Sequence, residues 1–335
     1  IIIIYSHDNY ANPFVVDFGA NLKPYGWLMS GSIVQLEDGS FVFGEYKSHS
    51  LEDEQNNDPR IIWRVSKPYN NINNWTKAHQ FKHVYYASPI SDEPDNEIGH
   101  IHAIMFDHYS GDMYCTTGDI DRHCRMWISS DFGATWSAVD GAVGPSDPPN
   151  AIGVGQKWRM TSSIFTDDAM YWATDSFFSY HNLWKCNRDA SGHVDFSTLT
   201  KLINLEMSIQ PGNTQATYNI VLIREPYGLL MLDRTEPRND NKLDIRFYDL
   251  KQKALYVCKT LGRASDADTL EQSGRTGLPN QFWTMYQPQS LDYVVCGGDT
   301  AIRPNVTDIF NNSADNYVGG LKVKVIGYGV ERNSN

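Results

Sequence analysis

Long helical periodicity is missing from this sequence, and so are several other marks of common protein classes. Its five cysteines, Cys115, Cys124, Cys186, Cys258 and Cys296, are an odd count with no Cys-x-x-Cys pair. Neither a disulfide framework nor a zinc ribbon follows from them, and mostly buried free thiols are expected. No run of basic residues occurs, and 28 Lys and Arg against 40 Asp and Glu leave a net charge of -12. Phosphate contacts need clustered cations, so nucleic acid is not an expected partner. No apolar stretch approaches the ~20 residues that cross a bilayer, so no membrane insertion is expected. The opening run Ile1 to Ile4 lacks the charged start and cleavage site of a signal peptide. It reads as a buried strand of a module cut from a longer protein. No heptad pattern specifies an oligomer, and a homo-oligomer stays open.

Aromatic residues, by contrast, are plentiful. They make up 13% of the chain, with 19 Tyr, 14 Phe and 9 Trp beside 20% charged residues. This is the profile of a β-rich protein with many half-buried positions. Short alternating apolar runs are separated by Gly, Asp, Asn and Pro clusters along the whole chain. The clearest unit covers residues 100–139 and divides into strands at 100–106, 111–117 and 124–129 and a short one after Trp136. The same rhythm recurs at 27–86, 158–202 and 218–261, and more loosely at 282–328. Four-stranded antiparallel meanders of that length are the blades of a β-propeller, and a single all-β propeller domain over residues 1–335 is expected. The rhythm gives five blades, with six or seven as alternatives.

One turn carries a specific pattern. Ser129, Asp131, Gly133, Thr135 and Trp136 spell Ser-x-Asp-x-Gly-x-Thr-Trp. Such a turn lets an aspartate accept amide hydrogen bonds, a glycine take positive φ and a tryptophan fill the gap between sheets. The pattern resembles the Asp-box, or BNR repeat, of the sialidase-like propellers. That resemblance implies a turn between the third and fourth strands, away from the active face, with Asp131 structural.

In a propeller the first strand of each blade starts at the active face, and the loop from second to third strand returns there. That rule nominates His100, His102, Asp119, Arg122 and His123 from the second blade, and Gln156, Arg159 and Asp175 from the third. The fourth contributes Arg224, Tyr227 and Arg234, and the first and last add Lys47, His49 and Arg303. Arginine and histidine suit a carboxylate or sulfate, aspartate and histidine suit proton transfer, and aromatic faces suit sugar stacking. The expected partner is an acidic polysaccharide or surface glycan. The segments Gly99–His102, Thr117–Asp119, Gln156–Arg159 and Tyr171–Asp175 are similar to those of sialidase-like propeller proteins of bacteria and their phages.

Among such proteins the ulvan-lyase-type polysaccharide lyases are the most informative resemblance. It implies two catalytic histidines about twenty positions apart, matched here by His102 and His123, with Arg224 and Tyr227 as companions. It implies β-elimination beside a uronate, a scheme that calls for no metal and no cofactor. His100, Asp119, Arg122, Gln156, Arg159, Asp175, Arg234 and Arg303 are then substrate-binding candidates. Two alternatives stand beside the lyase. A sialidase-type hydrolase would use Arg159, Arg234 and Arg303, but its Tyr-Glu pair is not found. A non-catalytic glycan receptor of a phage tail would use the same rim. All three place the protein outside the cell or on a virion.

Overall fold

Alternating apolar residues fold here as antiparallel strands joined by tight turns and short 3-10 segments. A computed structural model describes residues 2–5, 14–17, 26–27, 32–47, 54–55, 59–69, 71–85, 88, 96–139, 154–177, 180–205, 214–224, 227–236, 243–261, 281–286, 294–299 and 322–326. The fold is all-β, and its sheets are meanders with the strand order of propeller blades.

The chain divides into two compact units, residues 1–174 with 182–204, and residues 175–181 with 205–335. In the first unit, Ile33–Gln35, Phe41–Gly44, Arg60–Val65 and Trp75–His83 pair in sequence as the first sheet, and Glu97–Ile98 adds a parallel strand. The fourth strand starts at Trp75, directly after a 3-10 turn. The cause is local: Trp75 Nε1 donates to Tyr69 O at 2.8 Å and Ser66 N donates to Asn74 O at 3.0 Å, closing the preceding turn. The second sheet is His100–Phe106, Met113–Gly118, Met126–Ser129 and Ser137–Ala138. The third is Met160–Phe165, residues 169–174, Asn182–Asn187 and Thr200–Asn204.

Two apolar layers hold these sheets together. Val42, Ile62 and Phe81 meet Ile101, Ile104 and Met113 between the first and second sheets. Ala103, Met105 and Tyr114 meet Trp158, Met160 and Trp172 between the second and third. One strand, His100–Phe106, faces both layers. Strict alternation would put Ile101 and Ala103 on the same side, but the pairing slips between Ile101↔Thr117 and Ala103↔Thr116. His102 is the extra residue of this bulge, so the side chains after it change faces.

In the second unit, Thr214–Arg224, Tyr227–Glu236, Leu243–Asp249 and Ala254–Leu261 form a fourth meander. Gln281–Tyr286, Val294–Asp299 and Lys322–Ile326 form a fifth sheet, of three strands among the described residues. A one-residue slip lies near the start of the first strand in the second to fifth sheets: at His102, between Met160 and Ser163, at Tyr218 and at Trp283.

The Ser129–Trp136 turn is fully wired. Asp131 Oδ1 accepts from Ser129 Oγ at 2.7 Å and Thr135 N at 2.8 Å, and Oδ2 accepts from Thr135 Oγ1 at 2.6 Å. These bonds, led by the Thr135 hydroxyl, pull the Asp131 pKa down to about 2. Gly133 has φ 81°, and a Cβ there would lie 3.2 Å from Val42 and 3.3 Å from Met113 Sδ. The turn is thus a wedge between the first two sheets, with Trp136 buried beneath it. Cys115, Cys124 and Cys186 are buried free thiols. Among the described residues no helix is long and apolar enough to cross a membrane.

Candidate functional site

The strand-start end of the second sheet gathers titratable groups from its own strand and loop, from the entrance to the third sheet and from the short strand Tyr46–Lys47. His100 and His102 come from the first strand, and their Nε2 atoms lie 2.7 Å apart. Each is 3.3 Å from the same atom, Asp119 Oδ1, in the loop after the second strand. Arg159 Nη2, at the entrance to the third sheet, lies 3.0 Å from that oxygen. Tyr46, in the short strand Tyr46–Lys47 that follows Phe41–Gly44 and pairs with Gly26–Trp27, packs its ring 4.3 Å from His100 and 6.2 Å from His102. The imidazoles are 2% exposed and Arg159 11%, whereas the Asp119 side chain is 32% exposed. Solvent therefore reaches the cluster past Asp119.

Each member is held by backbone anchors. The bulge takes the His102 carbonyl out of the ladder, and Ser32 Oγ donates to it at 2.8 Å. The buried Arg60 donates Nε to Gly99 O at 2.9 Å, fixing the approach to His100. Gly118 lies directly under the His102 ring: a Cβ there would sit 2.4 Å from Cε1. Gln156 Nε2 donates to Asp119 O and Asp121 Oδ1, both at 3.0 Å, while Gly155 N donates to Asp121 Oδ2 at 3.1 Å. The 3-10 turn Val154–Trp158 is thereby tied to the Asp119 loop. Below it, Trp158 stacks on Trp172 at 5.6 Å, and Trp172 Nε1 donates to Lys157 O at 2.7 Å. Arg159 leaves this turn with its N–H on Gln156 O at 3.0 Å.

Burial pushes the Asp119 pKa upward, but the charges of His100 and Arg159 and the hydrogen bonds from both imidazoles outweigh it. They hold the carboxyl well below its usual range. Asp119 is a fixed anion against the Arg159 guanidinium.

The structure thus joins His100, His102, Asp119 and Arg159, with Gln156 as their positioning residue. His123 lies at the same end of the sheet, in the 3-10 turn Asp121–His123, and its carbonyl accepts from Thr117 Oγ1 at 2.6 Å. His102 Nε2 meets His100 Nε2 and Asp119 Oδ1, and its ring lies beside Tyr46 and over Gly118. Arg122 is half-buried and donates Nη2 to Tyr85 O at 2.9 Å. Asp175, Arg224, Tyr227 and Arg234 belong to the second unit. There Arg224 pairs with Tyr227 at the hairpin between the first and second strands, the end of the sheet opposite Asp233 and Arg234. By blade topology that hairpin corresponds to the Phe106–Met113 end of the second sheet, away from the strand start. Arg303 and His49 lie outside the described residues. Tyr46 and Asp121 are the members that sequence reasoning passed over as individuals; Tyr46 adjoins the nominated Lys47, and Asp121 falls inside the nominated loop.

No family model matches the chain, and no curated protein matches it. Among solved structures, the periplasmic gluconolactonase PpgL of Pseudomonas aeruginosa is similar over 79% of this chain and 61% of its own, at 12% identity and TM-score 0.46. An endo-1,4-β-xylanase of Bacteroides thetaiotaomicron is similar over 83% of this chain and 87% of its own, at 8% identity and TM-score 0.41. A glycoside hydrolase is similar over 82% and 58%, at 9% identity and TM-score 0.42. The chain spans about six-tenths of the length of the gluconolactonase and the glycoside hydrolase. At these scores the likenesses carry no argument about chemistry, which has to come from the site.

Proposed function

We propose that the protein is a carbohydrate-active propeller that cleaves an acidic polysaccharide by β-elimination beside a uronate. The supporting observation is the convergence of two imidazoles and a guanidinium on the single carboxylate oxygen of Asp119. In this reading the charge of Arg159 meets the uronate carboxylate and acidifies the neighbouring C5–H. One imidazole of the pair, unprotonated at Nε2, takes that proton, and the neighbouring Asp119 carboxylate offsets the positive charge it gains. The C–H electron pair becomes the C4–C5 double bond, the C4–O bond breaks, and the departing oxygen recovers a proton from the pair. No water is consumed.

Hydrolysis by paired carboxylates is less well supported. It needs two acids flanking the bond, and Asp121 is already engaged by Gln156 and Gly155. Tyr46, rather than Tyr227, is the tyrosine this reading assigns to the site. A substrate of this kind is a surface or matrix glycan, so the protein works outside a cell or on a virion.

The test is incubation of the full chain with a panel of uronate polymers, following ultraviolet absorbance and product mass. Elimination gives conjugated, absorbing ends, and each cut adds no water. Products that are heavier by one water per cut and do not absorb would replace the lyase by a hydrolase. A receptor reading is favoured by one observation, the near-complete burial of both imidazoles. Glycan capture without product would establish it.

A further inference from the structure

We propose that His100 Nε2, His102 Nε2 and Asp119 Oδ1 form a zinc-binding site. The three atoms are separated by 2.7, 3.3 and 3.3 Å. Around an ion with bonds of about 2.0–2.2 Å, neighbouring ligands stand about 2.9 Å apart at right angles and about 3.3 Å apart in a tetrahedron. A point roughly 2 Å from all three atoms therefore exists, and three protein ligands are the number that zinc sites with one solvent or substrate position use. Two imidazoles and one carboxylate suit a first-row transition ion, whereas calcium and magnesium take oxygen shells.

The surrounding structure favours such a site. The bulge at His102 and the bare Cα of Gly118 beneath its ring aim that imidazole at Asp119, two residues after the first histidine. Arg159 occupies another direction on Oδ1 and orients the carboxylate, as outer partners of metal ligands do. Ion and solvent have a common route, past the partly exposed Asp119.

This inference rests on the geometry and not on the proposed elimination. A bound ion would occupy the imidazole lone pairs that proton abstraction uses, so zinc and base catalysis exclude each other at this site. If both readings hold, zinc inhibits cleavage and a chelator restores it.

The experiment is titration of the chelator-treated full chain with zinc chloride, by calorimetry and by competition with a chromophoric chelator. Cobalt(II) supplies an independent visible-absorption readout. The expected result is one equivalent bound, a cobalt spectrum of low-symmetry four- or five-coordination, and affinity reduced at least about tenfold in both His102→Ala and Asp119→Asn. Asp119→Asn keeps the side chain's shape at a partly exposed position, so it stays informative if His102→Ala fails to fold. Binding that is absent, or equal in the native chain and in Asp119→Asn, overturns the proposal. Cleavage that persists without zinc binding refutes the ion and leaves the elimination standing. Zinc binding without cleavage does the reverse.

Discussion

Asp131 and Asp119 sit in two turns of one sheet, and both accept several hydrogen bonds, yet their partners come from very different distances. Those of Asp131 are Ser129, Ala134 and Thr135, none more than four positions away. Those of Asp119 are His100, His102 and Arg159, contributed by two sheets. The first carboxylate closes a turn. The second sums charge that only the tertiary fold can assemble, and it keeps part of its surface in solvent. A third case, Asp107, shows that remote partners are not enough to make a site: Arg188 grips it from 81 positions away, at 2.6 and 2.8 Å, but both side chains are sealed off.

The largest expected effect tests that third case. Arg188→Ala strips a bidentate partner from a buried carboxylate and should cost about 3–5 kcal/mol in denaturant unfolding. If a refolded sample keeps glycan binding, the buried pair is structural, as the comparison requires. Asp119→Asn should reverse the pattern. Cleavage should fall by about 100-fold or more, with a much smaller change in melting temperature, and an equal loss in Asp131→Asn would erase the distinction. Gly118→Ala should follow Asp119→Asn in direction, because its methyl displaces the His102 ring. Asp131→Ala should cost about 1–2 kcal/mol through lost turn hydrogen bonds, with catalytic constants unmoved.

The smallest effect concerns pH. The Asp131 carboxyl titrates near 2 in the folded chain and near 4 when unfolded, so its contribution is complete above about pH 4 and disappears as pH falls through 2. His193 behaves in the opposite sense. Hydrogen bonding and charge from Asp112 raise its pKa, so its contribution is complete below about 6.5 and is lost as pH rises through the folded value. Unfolding of His193→Gln followed from pH 5 to 8 should show a slightly flatter profile than the native chain, since this histidine is half exposed.

The same contrast decides what the sequence makes legible. The Asp131 turn can be read directly because its partners are sequence neighbours in a fixed order. The sheets are legible because apolar alternation and Gly-Asp punctuation are local, and the strands from 100 to 139 stand where that pattern puts them. His100, His102, Asp119 and Arg159 were nominated singly by strand order, but their sharing of one oxygen depends on a bulge and a 3-10 turn. The bulge at His102 has no residue signature, since it comes from a pairing slip opposite Thr116 and Thr117. Tyr46 is recruited by packing across sheets, which no local pattern encodes. Arg224 and Tyr227 follow from strand order in the fourth blade and from the resemblance, but strand register puts them at the hairpin end of their own sheet, which neither signal specifies.

The second and third sheets are fastened at two separate places, by Arg159 on Asp119 at one end and by Arg188 on Asp107 at the other. A joint with one bolt can swivel; a joint with two cannot. Two ion pairs so far apart oppose rotation of one sheet against the other, and they hold the spacing between the imidazoles and the guanidinium without help from a ligand.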